Sequence, residues 1–158
     1  MVYVMSDIHG CSEKYRAMLE NIAFAADDTL YVLGDVLDRG PDGFKILLDM
    51  AARPNVIGLL GNHELLAAAV LPSLLRTMRQ GEEQPLSETE QEQIQEWLQN
   101  GGKTSILQFL QFREEEMETV YAYLPSLSPY EEITVLGRQF VLTHAGQDRF
   151  SAARPLKE

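Results

Sequence analysis

The stretch Leu30-Tyr31-Val32-Leu33-Gly34-Asp35-Val36-Leu37-Asp38-Arg39-Gly40-Pro41 decides the fold. A short apolar, β-prone run ends in a Gly-Asp turn. A loop carrying two aspartates and an arginine follows, and Pro41 with Asp42 suits the first turn of a helix. The same arrangement recurs on both sides: Val2 to Met5 runs into Ser6-Asp7, and Val56 to Leu60 runs into Gly61-Asn62. Between these runs, residues 12–25 place Tyr15, Met18, Leu19 and Ile22 at helical spacing, and residues 42–52 do the same with Phe44, Ile46, Leu47, Leu48 and Met50. Ser12 can cap the first helix, although the glutamate of a capping box is absent. The order β-α-β-α-β with short crossovers predicts an α/β fold with a parallel sheet buried on both faces. Such sheets bind ligands beyond the carboxyl ends of their strands, where all three polar loops fall.

After Asn62 the pattern is helical over residues 63–80, 87–100, 103–112 and 114–124, a helical lid expected beside the site. A linker from Gly81 to Pro85 separates the first two helices, and Ser87 with Glu90 has capping-box spacing. The acids Glu114, Glu115, Glu116 and Glu118 read as a solvated helix face. Residues 130–136 and 139–143, joined at Gly137-Arg138, read as a β-hairpin whose second strand leads into His144-Ala145-Gly146. No internal repeat is present, and the length fits one domain over residues 1–158.

Composition narrows the function classes. With 45% hydrophobic and 23% charged residues the chain is of ordinary globular type. Twenty-four acids against 13 bases give a net charge of -11, which argues against a nucleic-acid partner because such proteins present basic faces. The one cysteine, Cys11, cannot form an internal disulfide, which fits a reducing compartment. The start at Met1 has no basic segment of a signal peptide, and no apolar run is long enough for a membrane span, so a cytoplasmic location is expected.

Each strand end places a hard oxygen or an imidazole nitrogen at one edge of the sheet: Asp7 and His9, then Asp35, then Asn62, with His144 arriving from the hairpin. Singly these have ordinary explanations, since Asp7 and Asp35 suit turns, Asn62 suits a helix cap and a lone histidine is usually structural. Together they are a different matter, because the chain's three histidines, His9, His63 and His144, all fall at expected strand ends. An O/N donor set without thiolate suits Mn²⁺, Fe or Zn²⁺ rather than a structural zinc or a calcium site. A carboxylate such as Asp35 has two oxygens and can bridge two cations about 3.5 to 4 Å apart. Water held between them would lose a proton near neutral pH and attack phosphorus in line.

The segments Asp7-Ile8-His9-Gly10, Gly34-Asp35-Val36-Leu37-Asp38-Arg39-Gly40, Gly61-Asn62-His63-Glu64 and His144-Ala145-Gly146 resemble, in order, the signature motifs of the calcineurin-like metallophosphoesterases. The branch they resemble holds the Ser/Thr protein phosphatases, bacteriophage lambda phosphatase and the symmetrical diadenosine tetraphosphatases. The resemblance implies a two-sheet α/β sandwich flanked by helices and a centre of two divalent ions, Mn²⁺ foremost. It implies that Asp7, His9 and Asp35 hold the first metal, while Asp35, Asn62 and His144 hold the second. Arg39 would grip the phosphate through paired guanidinium donors, and His63, oriented by Asp38, would protonate the leaving oxygen. Arg39 could otherwise form a surface ion pair with Asp38 or Asp42. Glu64 is expected to support the site rather than perform chemistry.

Three further features bear on function. Gly102-Lys103-Thr104 is not a nucleotide P-loop, because Trp97 occupies the position of the required first glycine. Trp97 itself reads as a core residue or as a stacking platform for substrate. Cys11 reads as an inert thiol rather than a nucleophile.

The family also supplies a further histidine and a second arginine beyond the His-Ala-Gly element. Neither can be assigned, Arg149 and Arg154 lying too close to the hairpin. The expectation is therefore a C-terminally incomplete domain, with an incomplete second sheet able to associate, a weakly bound second metal and low activity. The function expected is phosphomonoester hydrolysis, with phosphoserine or phosphothreonine proteins as substrate. The alternatives are dinucleoside polyphosphate hydrolysis and a non-catalytic phosphate-binding remnant.

Overall fold

The computed structural model describes residues 1–80 and 85–145. Most of the expected linker, together with Gly146, Arg149 and Arg154, lies outside the described residues. Strands β1 (Val2–Met5), β2 (Thr29–Val32) and β3 (Val56–Gly58) form a parallel sheet in the order β1-β2-β3, with α1 (Ser12–Asn21) and α2 (Gly43–Ala52) as the crossovers.

The register pairs Tyr3 with Leu30, Met5 with Val32, Leu30 with Val56 and Val32 with Gly58, which puts these side chains on one face. Leu30 and Val32 are fully buried there against a core that includes Phe44, Ile46, Leu47 and Met50 of α2. Removing a side chain of this size from water contributes about 1.5–3 kcal/mol. The opposite face carries Val2, Val4, Thr29, Tyr31 and Ile57; Val2 and Val4 are 43% and 47% exposed, and the other three are half-buried. The expectation of burial on both faces is thus corrected. Two right-handed crossovers taken in the same direction across a sheet land on the same side, and α1 indeed packs on α2.

Local chemistry fixes the ends of these elements. Helix α1 stops at Asn21, short of the expected residue 25, in a Schellman arrangement. Ala23 takes φ 49° and the Phe24 N–H donates to Leu19 O at 2.9 Å. Ser12 does not cap this helix, since Cys11 holds the cap position. The Ser12 hydroxyl instead donates to Asp42 Oδ2 at 2.7 Å and ties the starts of α1 and α2 together.

Downstream lie α3 (Asn62–Gln80), α4 (Glu88–Gln99), α5 (Lys103–Phe109) and α6 (Glu114–Tyr123), then a 3-10 turn at Leu124–Ser126. The Ser87/Glu90 capping box forms as its spacing predicts. Glu114 and Glu118 are exposed and face Arg79 of α3 at 3.1 and 3.4 Å. Helix α6 packs against α2, and the parts of the expected lid that reach the site are the start of α3 and the α4–α5 junction.

Strands β4 (Tyr130–Val135) and β5 (Arg138–Thr143) make an antiparallel pair. Their turn is Leu136-Gly137 rather than Gly137-Arg138, because a two-residue type I′ turn needs positive φ at both positions and these have 49° and 75°. The Leu60 N–H donates to Ser128 O at 2.8 Å, which fastens the start of the hairpin to the end of β3. No helix among the described residues is long and apolar enough to cross a membrane.

Candidate metal centre

The loops after β1, β2 and β3 meet backbone to backbone. The His9 N–H donates to Asp35 O at 2.9 Å and the Asp7 N–H to Gly34 O at 3.2 Å. A Cβ on Gly34 would lie 2.5 Å from Gly61 N, so only glycine permits the second and third loops to touch. Among the described residues seven non-glycine positions have left-handed φ, and five of them are Asp7, His9, Asp35, Asp38 and Arg39. Each costs roughly 1–3 kcal/mol, and such strain collects where the surrounding structure holds functional groups in place.

Glu64 supplies much of that hold. It is wholly buried at the start of α3 and accepts four backbone N–H groups: Asp35 at 2.7 Å, Val36 at 2.9 Å, Leu37 at 3.0 Å and Gly61 at 3.1 Å. Burial raises its carboxyl above the ordinary range, and the backbone N–H donors offset part of that rise. A group that receives four donors and gives none works here as a carboxylate clamp between two loops. The supporting role expected of Glu64 takes this specific form.

Two imidazoles are oriented by the same device. His9 Nδ1 lies 2.9 Å from Leu37 O and His144 Nδ1 lies 2.7 Å from Leu33 O. A carbonyl only accepts, so each Nδ1 carries the proton and each Nε2 presents a lone pair. Both Nε2 atoms turn to Asp35, His9 at 3.8 Å from Oδ2 and His144 at 3.3 Å from Oδ1. His144 Nε2 also stands 3.1 Å from Asn62 Oδ1. Lone pairs that face carboxylate and amide oxygens at these distances repel unless a proton or a cation lies between them. A backbone carbonyl on the far imidazole nitrogen is the usual orientation of a metal-binding histidine. The donor set therefore fits a divalent cation.

His63 is placed differently. The residue is 1% exposed, Nδ1 is 2.6 Å from Asp38 Oδ2, and Nε2 is 3.4 Å from Arg39 Nη2 and 3.7 Å from Asp35 Oδ2. His9, Asp35 and His63 offer ligand atoms all within 4.8 Å of one another, so geometry alone admits His63 as a metal ligand. Asp38 occupies its Nδ1 and the Arg39 guanidinium stands beside its Nε2, which sets it apart from the two imidazoles anchored on backbone carbonyls. Arg39 is exposed and makes no ion pair among the described residues, so the surface pair with Asp38 or Asp42 does not form.

Asp7 is brought to the same edge by its backbone, but its carboxylate is exposed and accepts the Ser6 hydroxyl at 2.5 Å. Asp35, Asn62, His144, His9 and His63 converge; Asp7 borders them. Cys11 is half-buried against the core.

Sequence reasoning missed Ser105. Its hydroxyl donates to Asp38 Oδ1 at 2.6 Å and accepts the Asp38 N–H at 3.0 Å. A signal was available, since Ser105 and Gln108 are polar residues on the buried face of α5. Trp97 is fully buried and its Nε1 donates to both Asp38 oxygens, at 3.0 and 2.8 Å. It is a core residue with a polar contact, and no ring face is open for stacking on a substrate.

Comparison with known proteins agrees with this geometry. The family model for the calcineurin-like phosphoesterases matches residues 1–157. The chain belongs to that family. Calcineurin-like phosphoesterases are hydrolases that use divalent metals, in keeping with the donor set around Asp35. Among its relatives is a symmetrical bis(5'-nucleosyl)-tetraphosphatase of Delftia acidovorans, 35% identical over 63% of this chain and 36% of the relative. Another, from Wigglesworthia glossinidia brevipalpis, is 40% identical over 40% of this chain and 24% of the relative. The chain thus spans about a third or less of the length of these curated relatives. A solved metallophosphoesterase from Sphaerobacter thermophilus overlaps 82% of this chain and 42% of its own, with 20% identity and a TM-score of 0.46.

Proposed function

We propose that this site hydrolyses phosphoanhydride or phosphoester bonds with bound divalent metal, and that dinucleoside polyphosphates are its substrate class. The observation that carries the chemistry is the convergence of His9 Nε2, His144 Nε2 and Asn62 Oδ1 on the Asp35 carboxylate, with both Nδ1 atoms committed to backbone carbonyls. His9, Asp35, Asn62 and His144 would hold the metal, with Asp7 at the rim as a further carboxylate donor. Two ions, Mn²⁺ before Fe or Zn²⁺, suit this O/N set. When bound, the metal supplies Lewis acidity and eases the deprotonation of water.

The chain's own residues do the rest. Arg39, exposed and without an ion pair among the described residues, offers its guanidinium to phosphate oxygens and strengthens that hold as charge builds. His63 keeps Nδ1–H on Asp38 and presents Nε2 as the atom that delivers a proton to the leaving oxygen. The buried Asp38 carboxylate fixes the rotation of the ring, so that Nε2 and not Nδ1 faces the leaving oxygen. The names of the relatives support dinucleoside polyphosphates over the phosphoproteins first expected.

The test supplies Mn²⁺ to the chain and offers diadenosine tetraphosphate and a phosphothreonine peptide separately. Symmetrical cleavage consumes one water and gives two molecules of ADP, read by chromatography, and Asp35→Asn is expected to abolish it. Faster phosphate release from the peptide would return the substrate to the phosphoprotein class. Absence of Mn²⁺ binding by calorimetry would overturn the metal reading itself.

A further inference from the structure

The structure assigns to Trp97 the part of a positioning residue: with Ser105, its indole N–H holds the Asp38 carboxylate, and through it the His63 imidazole, in the orientation that aims Nε2 at the reacting phosphate. This rests on the reading above in which His63 serves the leaving oxygen.

Asp38 is 0% exposed, so protein groups alone must compensate its charge. They do so completely. Oδ2 receives His63 Nδ1 at 2.6 Å and Trp97 Nε1 at 2.8 Å; Oδ1 receives the Ser105 hydroxyl at 2.6 Å and Trp97 Nε1 at 3.0 Å. The indole proton is shared between the two oxygens, so it fixes the rotation of the carboxylate plane. Ser105 closes a ring by accepting the Asp38 N–H at 3.0 Å, which steadies a residue strained at φ 68°.

The segment after Trp97 is shaped for the same task. A Cβ on Gly102 would lie 2.5 to 2.6 Å from the indole ring, so the backbone of the α4–α5 junction lies flat on it. Gly101, at φ 100°, offers its carbonyl to the Arg39 N–H at 3.2 Å. Trp97, Gly101, Gly102 and Ser105 thus brace the loop that carries both Asp38 and Arg39. The Gly-Gly-Lys-Thr segment that resembles half a P-loop is explained by this packing, with no nucleotide required.

The chain has a single tryptophan, so residue-wide replacement by benzothienylalanine changes one site, keeping the fused-ring shape and removing the N–H. The probe is the ring of His63 in ¹⁵N-histidine spectra, assigned with His63→Gln. The analogue is expected to shift the His63 ring signals and leave those of His9 and His144 in place, with an unchanged melting temperature. Ser105→Ala, which removes only a hydroxyl, is expected to shift the same signals. In the unaltered protein the one indole N–H is expected far downfield and protected from exchange, and Asp38→Asn should move it.

In turnover, kcat should fall about tenfold or more with KM within about twofold, the size of effect usual for orienting partners. Unchanged His63 signals in both the analogue protein and Ser105→Ala would overturn the assignment, as would an indole N–H that exchanges freely. If the unaltered chain binds metal and turns over nothing, the proposed function fails while the spectra still decide the role of Trp97.

Discussion

The floor and the rim of the site are built by opposite rules. On the floor, Glu64, Asp38 and His63 are at most 1% exposed, and the two carboxylates have their acceptor capacity filled by protein. On the rim, Asp7, Arg39 and Asn62 are exposed, with few partners or none among the described residues. The two carboxylates, which never meet a substrate, are held hardest, and the rim groups expected to meet metal or phosphate are left open to it. Rigidity is placed one layer beneath the chemistry.

The largest expected effect would break the floor. Glu64→Gln replaces an acceptor of four amides with a group half of whose hydrogen-bonding atoms are donors. Unfolding by urea should show a loss of about 3–5 kcal/mol. A loss below about 1 kcal/mol would show that the two loops hold together without the clamp. On the rim, His144→Ala should leave stability within about 1 kcal/mol yet weaken Mn²⁺ binding by about tenfold or more, measured by calorimetry. If both quantities fell together, the floor and rim would not be separable. Arg39→Lys keeps the charge and loses the paired donors. It should lower kcat/KM about tenfold, some 1.4 kcal/mol, without moving the melting temperature.

The smallest effect concerns the brace behind the floor. Glu90 has its carboxyl lowered to about 2, first by the Ser87 N–H of the capping box and then by the Ser73 hydroxyl and Arg76 on α3. A lowered folded value means its contribution is present above the ordinary value of 4.5 and is lost as pH falls toward 2. Between those limits the docking of α4 on α3 should loosen and the emission of Trp97 should shift to longer wavelength. Glu90→Gln should remove that step.

The strands and site loops were legible because period-2 and period-3.6 patterns alternate cleanly up to residue 62, and because each apolar run ends in a polar turn. Asp35, Asn62, His9, His63 and His144 could be nominated since polar side chains at strand ends must gather at one edge of a parallel sheet. Burial of the sheet was misjudged because apolar Val2 and Val4 read the same whether or not a layer covers them. The α1 cap was misread because Cys11 and Ser12 are adjacent and no local pattern separates them. The pattern of α5 could have marked Ser105 as a buried polar residue, but that Ser105 and Trp97 both hold Asp38 was not legible, for a deeper reason. Their contacts with Asp38 span 67 and 59 residues, and no window of sequence registers such pairing.

Those same separations govern how the site assembles. Glu64 reaches back 27 to 29 residues to three of its four amides, and Ser105 reaches back 67 to Asp38. Chain closure over such distances costs entropy before any bond rewards it, so contacts of this range form late in folding. The pocket should therefore acquire its hydrogen-exchange protection after the β1-β2-β3 sheet has paired, so a nascent chain would not bind metal productively until α5 had left the ribosome.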